Sequence, residues 1–266
     1  MEPKLYCSLS STENLLSILN CLRANQNTKI LILAKHDGLL LQSSSSSFQI
    51  MGEGFLKNFD FDIYNVATHE VELMVDLKIL RQAVIALSSG NMPRLVMVYP
   101  SKDNKLLLYV KDDLYATKFY LETFLIEEIP SLDLSEKVNG MFTVKDSRFL
   151  KQALEVCCHG RHEVNIFVSF DNQTQSCSFT RDDLTAGIKT RVILPQCESV
   201  DTEIEESSER LYSGKVLRGV ANFPKADEIQ VKMYDEGILE FCISFNDRAW
   251  FKHFINPSTV DPEFGL

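Results

Sequence analysis

The sequence has little of what disulfide-rich folds, nucleotide-binding loops and membrane proteins require. Its seven cysteines are an odd number and include no Cys-x-x-Cys pair, which predicts free, mostly buried thiols in a reducing compartment. No glycine-rich phosphate loop opens a helix, although Gly52 and Gly54 stand two apart. No apolar run is long enough to span a bilayer, and the amino end lacks an apolar signal region. We therefore expect no membrane partner.

Signatures of catalysis are also scarce, because the chain has no nucleophile elbow and no His-Glu-x-x-His pair. The residues nearest to a zinc site are Cys157, Cys158, His159 and His162. Adjacent cysteines on a helix point about 100° apart, so these residues do not converge on a tetrahedron. We predict no enzyme, no cofactor and no metal. One alternative stays open: Asp60 and Asp62 would share a strand face and hold Mg²⁺ in a nuclease.

What is present is a large, acidic and moderately apolar chain. Its 266 residues are 45% hydrophobic, enough for one or two packed domains. The net charge of −10 normally argues against nucleic acid as a partner. The distribution of that charge along the chain is more informative than its sum.

Four similar segments follow one another, each with an amphipathic helix and then two strands. The helices begin near positions 12, 77, 146 and 214. A nearly constant period of this kind is typical of a repeat architecture and predicts an α+β fold with two similar halves. We place the first domain at residues 1–121, a connector at 122–138 and the second domain at 139–266, ending in a loose tail. Glu198–Glu209 is predicted to be an acidic loop.

The predicted helices carry basic residues that recur three positions apart and away from the apolar stripe. They are Lys78 and Arg81, then Lys145, Arg148 and Lys151, and finally Lys215 and Arg218. A single helix of this kind is usually an ordinary solvated surface. Recurrence at matching places in an acidic chain favours a surface for phosphates.

The order of elements and several short segments resemble the sliding DNA clamps. The connector and next helix, LIEEIPSLDLSEKVNGMFTVKDSRFLKQAL, and the ending FKHFINPS are similar to the eukaryotic replication clamp. Leu77–Pro100 looks more like the Rad-one subunit of the nine-one-one checkpoint clamp, with the Hus-one subunit as the other candidate. This resemblance implies helices on the inner face, antiparallel sheets outside, and a nuclear heterotrimer with Rad-nine-like and Hus-one-like partners. A clamp loader would place this ring on double-stranded DNA at damage sites.

Two further sites follow from the resemblance. Strand edges would close the ring, and we assign this subunit interface to two apolar strands through Leu106, Leu108, Val110, Cys177 and Phe179. The connector and the carboxy end would form a partner-peptide pocket from Leu125, Ile126, Ile129, Phe254 and Pro257. The remaining alternative is a replication clamp, in which the chain assembles with itself as a homotrimer.

Overall fold

The computed structural model divides the chain into two compact units. The first comprises residues 1–44, 52–130 and 245–251, and the second comprises residues 45–51, 131–244 and 252–266. The division after residue 130 falls inside the predicted connector. The structure describes the whole chain except residues 1, 24–27, 46–48, 89–93, 112–115, 127–128, 130–133, 135–136, 160–163, 184–186, 225 and 259–266.

The first half of the sequence forms two sheets and two helices. Its helices are α1 (Glu13–Leu22) and α2 (Leu77–Ser88). Its strands are β1 (Leu5–Leu9), β2 (Lys29–Lys35), β3 (Gly38–Ser44), β4 (Ile50–Lys57), β5 (Ile63–Val66), β6 (Glu70–Asp76), β7 (Leu95–Tyr99), β8 (Leu106–Lys111) and β9 (Ala116–Leu121). Within this half, one sheet has the order β5-β1-β7-β8-β9 and the other has the order β4-β3-β2-β6.

The second half repeats this arrangement. Its helices are α3 (Ser147–Cys157) and α4 (Gly214–Val220). Its strands are β10 (Val138–Val144), β11 (Asn165–Asp171), β12 (Ser176–Asp183), β13 (Ile188–Pro195), β14 (Val200–Ile204), β15 (Ser208–Ser213), β16 (Glu228–Tyr234), β17 (Leu239–Ser244) and β18 (Ala249–Ile255). Within this half the sheet orders are β13-β12-β11-β15 and β14-β10-β16-β17-β18. The predicted α+β fold class is confirmed.

The repeat is clearest where α2 and α3 bury the same positions. Each helix buries its first, fourth, seventh, eighth and eleventh residues, so the two helices correspond at an offset of 70 positions. The buried residues are Leu77, Leu80, Ala83, Val84 and Leu87 in α2, and Ser147, Leu150, Ala153, Leu154 and Cys157 in α3. This spacing of three and four residues gives one apolar stripe per helix, which packs inward and leaves the opposite side exposed.

One predicted loop is a strand. The acidic segment Glu198–Glu209 contains β14, which pairs with β10 in an antiparallel register from Gly140↔Ile204 to Val144↔Val200. Its residues alternate, with Val200, Thr202 and Ile204 buried and the acidic residues between them exposed. The prediction was wrong because the acidic composition hid this period of two.

The two strands predicted to be sheet edges are interior strands. Strand β8 lies between β7 and β9, and β12 lies between β11 and β13. Their apolar side chains are at most 1% exposed: Leu106, Leu108, Val110, Cys177 and Phe179. Placing these five residues at an edge is therefore wrong, because each strand has a further strand on its outer side. The edge strands of these two sheets are β5, β9, β13 and β15.

Candidate nucleic-acid interface

Helix α2 presents its cations on the side away from its buried stripe. Lys78 is exposed, and Arg81 is partly exposed three residues later. The Asp76 carboxylate caps the helix, because its Oδ1 accepts the backbone N–H of Ile79 at 2.8 Å. Asp76 thus satisfies a backbone donor that the first helical turn would otherwise leave without a partner.

Helix α1 lies beside α2 in the same unit and hydrogen-bonds to Arg81, the second cation of α2. The Arg81 Nε donates a hydrogen bond of 2.7 Å to the Asn20 Oδ1 on α1. At the other end of the pair, the hydroxyl oxygens of Thr12 and Ser88 are 2.8 Å apart. Arg81 therefore has a neutral partner, which fixes the guanidinium without removing its charge.

Helix α3 begins with a tighter arrangement of charges. Asp146 caps the helix by accepting the backbone N–H of Arg148 at 3.0 Å, and the Arg148 Nη2 lies 2.6 Å from the Asp146 Oδ2. The hydrogen bonds from the Arg148 side chain and backbone lower the pKa of Asp146. Arg148 is highly exposed, but its charge is locally balanced by this carboxylate.

Lys145, which precedes α3, is also paired with a carboxylate, and this carboxylate comes from a strand distant in sequence. The Lys145 Nζ lies 2.7 Å from the Asp201 Oδ2 on β14, and both side chains are more than half exposed. This contact raises the pKa of Lys145. The start of α3 borders an open depression of about 540 Å³ lined by Lys145, Asp146, Ser147, Arg148 and Ala226. Lys151 follows on α3 and is half-buried.

Helix α4 contributes its cations differently. Lys215 is exposed near its first turn, whereas the Arg218 Nη2 donates to the backbone carbonyl of Cys158 at the carboxy end of α3. The Arg181 Nη1 on β12 likewise donates to the carbonyl of His159. Two guanidinium groups thus bind the carbonyls at the negative end of the α3 dipole, where cations are stabilising. Arg218 has this structural role in addition to any ligand, and sequence spacing did not indicate it.

Exposed apolar side chains accompany the cations, and the sequence analysis missed them. Ile79 on α2 is 53% exposed, while Phe149 and Val156 on α3 are 46% and 52% exposed. Phe149 is adjacent to the buried Leu150 in sequence, but it corresponds to Ile79 of α2 and points away from the core.

The alternative nuclease site does not have the predicted geometry. Asp60 ends a short 3-10 turn, Asn58–Asp60, and Asp62 follows it, so the two do not share a strand face. The Asp60 Oδ1 accepts a hydrogen bond of 3.0 Å from the Asn14 Nδ2, and Asp62 lies 3.6 Å from the Arg94 Nε. Burial raises the pKa of Asp60. Within the described ranges of the chain, no three His, Cys, Asp or Glu residues are grouped to hold a metal ion.

The cysteine and histidine cluster at the end of α3 has a packing role. The Cys157 thiol donates to the Phe179 carbonyl at 3.3 Å, and burial raises the pKa of Cys158 to about 12. His159 is exposed, and His162 lies outside the described residues. Both thiols therefore behave as small buried apolar groups.

The residues of the predicted peptide pocket belong to two separate units. In the first unit, Leu125 is 90% exposed, Ile126 is 48% exposed and Ile129 is half-buried. In the second unit, Phe254 is buried with the Lys252 Nζ 6.0 Å from its ring centroid, and Pro257 is half-buried. The pocket stays a prediction.

Comparison with known proteins identifies the class of fold. The chain is similar to the crystal structure of Proliferating Cellular Nuclear Antigen from Entamoeba histolytica, with a TM-score of 0.78 and 16% sequence identity. The match covers 97% of this chain and 100% of that chain, and it defines a sliding-clamp fold. Residues 4–243 match the family described as Repair protein Rad1/Rec1/Rad17, and the chain belongs to this family.

Family and fold together make this a DNA repair and checkpoint protein of the sliding-clamp class. A search of curated proteins finds no match. Among the described residues, no helix is both long enough and apolar enough to cross a bilayer.

Proposed function

We propose that this chain is a non-catalytic subunit of a ring-shaped clamp that encircles duplex DNA at damage sites and supports checkpoint signalling and repair in the nucleus. The observation that carries the proposal is the matched pair of helices α2 and α3. Both bury the same positions and present cations on the opposite side. The family and the fold support the same function.

The DNA-facing residues in this proposal are the seven predicted cations on or beside the helices. They are Lys78, Arg81, Lys145, Arg148, Lys151, Lys215 and Arg218. Lysine and arginine side chains neutralise phosphates, which carry no base identity, so they permit a ring to slide along any sequence. The strongly acidic remainder of the chain would discourage binding of DNA elsewhere.

The ring would close through the sheet edges β9 and β13. Other edges are shorter or already occupied: β5 has four residues and β14 has five, the Met74 carbonyl of β6 accepts Phe124 N–H, and the Leu211 carbonyl of β15 accepts Ser258 N–H. The long edges β9 and β13 have six and eight residues. Pairing β9 of one subunit with β13 of the next is a head-to-tail contact that closes by rotation. We propose that the neighbouring subunits are Rad-nine-like and Hus-one-like and that a clamp loader opens the ring to place it on DNA.

A double variant of α3 tests the DNA contacts. In the ring assembled with its partner subunits, Arg148→Ala with Lys151→Ala should weaken binding to duplex DNA equally for unrelated sequences. Each lost phosphate contact should also reduce the log–log salt dependence by about one unit. Lys4→Ala with Lys102→Ala is the matched control, since both residues are exposed cations outside α1, α2, α3 and α4.

The fold should change little, because Arg148 is exposed and Lys151 lies outside the buried stripe and keeps part of its surface in solvent. A thermal melt of each variant checks this point. Equal DNA affinity and salt slope for the α3 variant and the control would refute the assignment of this helix face to DNA.

A further inference from the structure

The two long open edges, β9 and β13, carry charge of the same sign on the same side of their sheets. In β9, the register Leu108↔Phe119 puts Phe119 on the side of the buried Leu108. Lys118 and Tyr120 therefore project from the outer face, because side chains alternate along a strand. Both are exposed, and Tyr120 keeps 48% of its surface in solvent.

Strand β13 has the same arrangement in the other unit. Its register Phe179↔Val192 puts Val192 on the buried side, so Lys189, Arg191 and Ile193 project from the outer face. The Arg191 Nε and Nη2 each lie 3.3 Å from the Ser178 Oγ, a neutral partner on β12. Lys189 stands opposite the exposed Asp182 of β12, whereas Arg191 stands opposite Thr180. Arg191 thus has no carboxylate directly opposite it on β12, although Asp182 lies on its diagonal and Arg191 helps to lower the pKa of Asp171 on β11.

Pairing of β9 with β13 between two copies of the chain would bring these cations together. Two antiparallel registers place all of β9 opposite β13 and keep the outer faces matched. One puts Lys118 directly opposite Arg191, and the other puts Lys118 opposite Ile193 with Arg191 on the diagonal. Directly opposed Cβ atoms are about 5 Å apart and diagonal ones about 7–8 Å, so both registers oppose like charges.

The same edges nevertheless have apolar surface to bury. Beside the cations, Tyr120, Ile188 and Ile193 are 48%, 59% and 50% exposed. Lysine on an edge strand commonly prevents unwanted pairing, while exposed apolar side chains favour a specific partner. The combination fits an edge that accepts one kind of strand and rejects another.

We propose that β9 and β13 repel each other between copies of this chain and that each accepts a strand of a different chain with carboxylates on its outer face. This inference rests on the proposed ring, and it specifies the chemistry of the neighbours. A carboxylate opposite Lys118 would complete one contact, and a carboxylate opposite Arg191 would complete the other. Opposite charges across paired strands stabilise the pair, and like charges destabilise it.

Charge reversal on one edge at a time tests the inference with the full chain alone. Sedimentation velocity at low ionic strength would compare wild type, Lys118→Glu, and Lys189→Glu with Arg191→Glu. Wild type should stay monomeric, and each reversed edge should tighten self-association on the order of tenfold. Combining the reversals on both edges should restore the monomer, because both edges would then be acidic.

Lys102→Glu is the control for Lys118→Glu, since it makes the same change in net charge at an exposed residue outside β9 and β13. It should leave the chain monomeric, and thermal melts should show that all variants fold. Self-assembly of the wild type into trimers would overturn the inference. Equal behaviour of Lys118→Glu, the β13 variant and Lys102→Glu would overturn it as well.

A separate measurement distinguishes this failure from failure of the proposed ring. Phe119→Pro removes a backbone donor within β9 and introduces a residue that sheets tolerate only at their margins. If it prevents entry into the DNA-binding complex while charge reversal has no effect, the ring stands and the charge inference falls. If the proline variant folds and enters the complex at normal yield, β9 is not the interface and both fall.

Discussion

Helices α2 and α3 bury the same five positions but present different amounts of available charge. In α2, Lys78 is exposed and Arg81 is held by the neutral amide of Asn20. In α3, Arg148 is paired with the carboxylate of its own helix cap, Asp146. The two helices therefore show that counting cations overestimates the charge that phosphates would meet.

The difference arises from what each cap residue also binds. Asp76 caps α2 through the backbone N–H of Ile79, whereas Asp146 caps α3 and also binds the Arg148 guanidinium. A phosphate at α3 must compete with that carboxylate. Comparing α2 with α3 thus distinguishes the effect of where a cation lies on the helix from the effect of whether a carboxylate already pairs with it.

The largest effect should come from the shared buried stripe. Leu80→Ala in α2 and Leu150→Ala in α3 should each lower the free energy of unfolding by about 2–5 kcal/mol, because each leaves a cavity in a packed core. Ile79→Ala and Phe149→Ala, one position earlier on the exposed side, should each cost about 1 kcal/mol or less. Urea denaturation of the four variants measures this. A cost for Phe149→Ala equal to that of Leu150→Ala would contradict its exposed position.

Removing the two helix caps should affect stability equally and DNA binding unequally. Asp76→Ala and Asp146→Ala should each cost about 1 kcal/mol of unfolding free energy, because each loses a side-chain acceptor at a helix start. Each also removes one negative charge. Only Asp146→Ala frees an arginine, so it should increase the DNA affinity of the assembled ring more than Asp76→Ala does. Fluorescence anisotropy with duplex DNA at one salt concentration would compare them, and equal affinities would contradict the prediction.

Removing one cation at a time should show the same difference between α2 and α3 in the salt dependence of DNA binding. Lys78→Ala should reduce the log–log salt slope of DNA binding by about one unit, as expected for loss of one phosphate contact. Arg148→Ala should reduce it by less, because Asp146 already balances that charge. Titrations over several salt concentrations provide the slopes. A larger loss for Arg148→Ala would mean that DNA displaces Asp146 completely.

The smallest effect should be a dependence of the free energy of unfolding on pH through Asp146, the cap residue of α3. The pKa of Asp146 is lowered from its ordinary value of 3.8 by hydrogen bonds from Arg148. The unfolded chain therefore takes up this proton at a higher pH than the folded chain does. The contribution to stability is complete above about pH 4 and is lost as the pH falls through the folded pKa. NMR titration of the Asp146 carboxyl carbon tests the direction, and Arg148→Ala should move the pKa back towards 3.8.

Local pattern was enough to predict the helices and much of the fold. The apolar spacing predicted a helix that begins near position 77, and the structure has α2 at Leu77–Ser88. The other predicted starts, near positions 12, 146 and 214, agree with α1 at Glu13–Leu22, α3 at Ser147–Cys157 and α4 at Gly214–Val220. Such elements are readable because their periods reflect which side of one segment is buried, a property of residues close together in the chain.

The sequence alone thus determined the repeated α+β units, the apolar stripes and the helix sides that carry cations. Only the tertiary structure decided which strands are edges, because β9 and β13 cover the apolar strands β8 and β12 through pairing that no local pattern encodes. It also decided which groups the cations bind: Lys145 meets the Asp201 carboxylate from β14, and Arg218 meets the Cys158 carbonyl at the end of α3. These partners lie 56 and 60 positions apart in the sequence. Ion pairs and hydrogen bonds act over short distances in space, so they depend on neighbours that only the folded chain brings together.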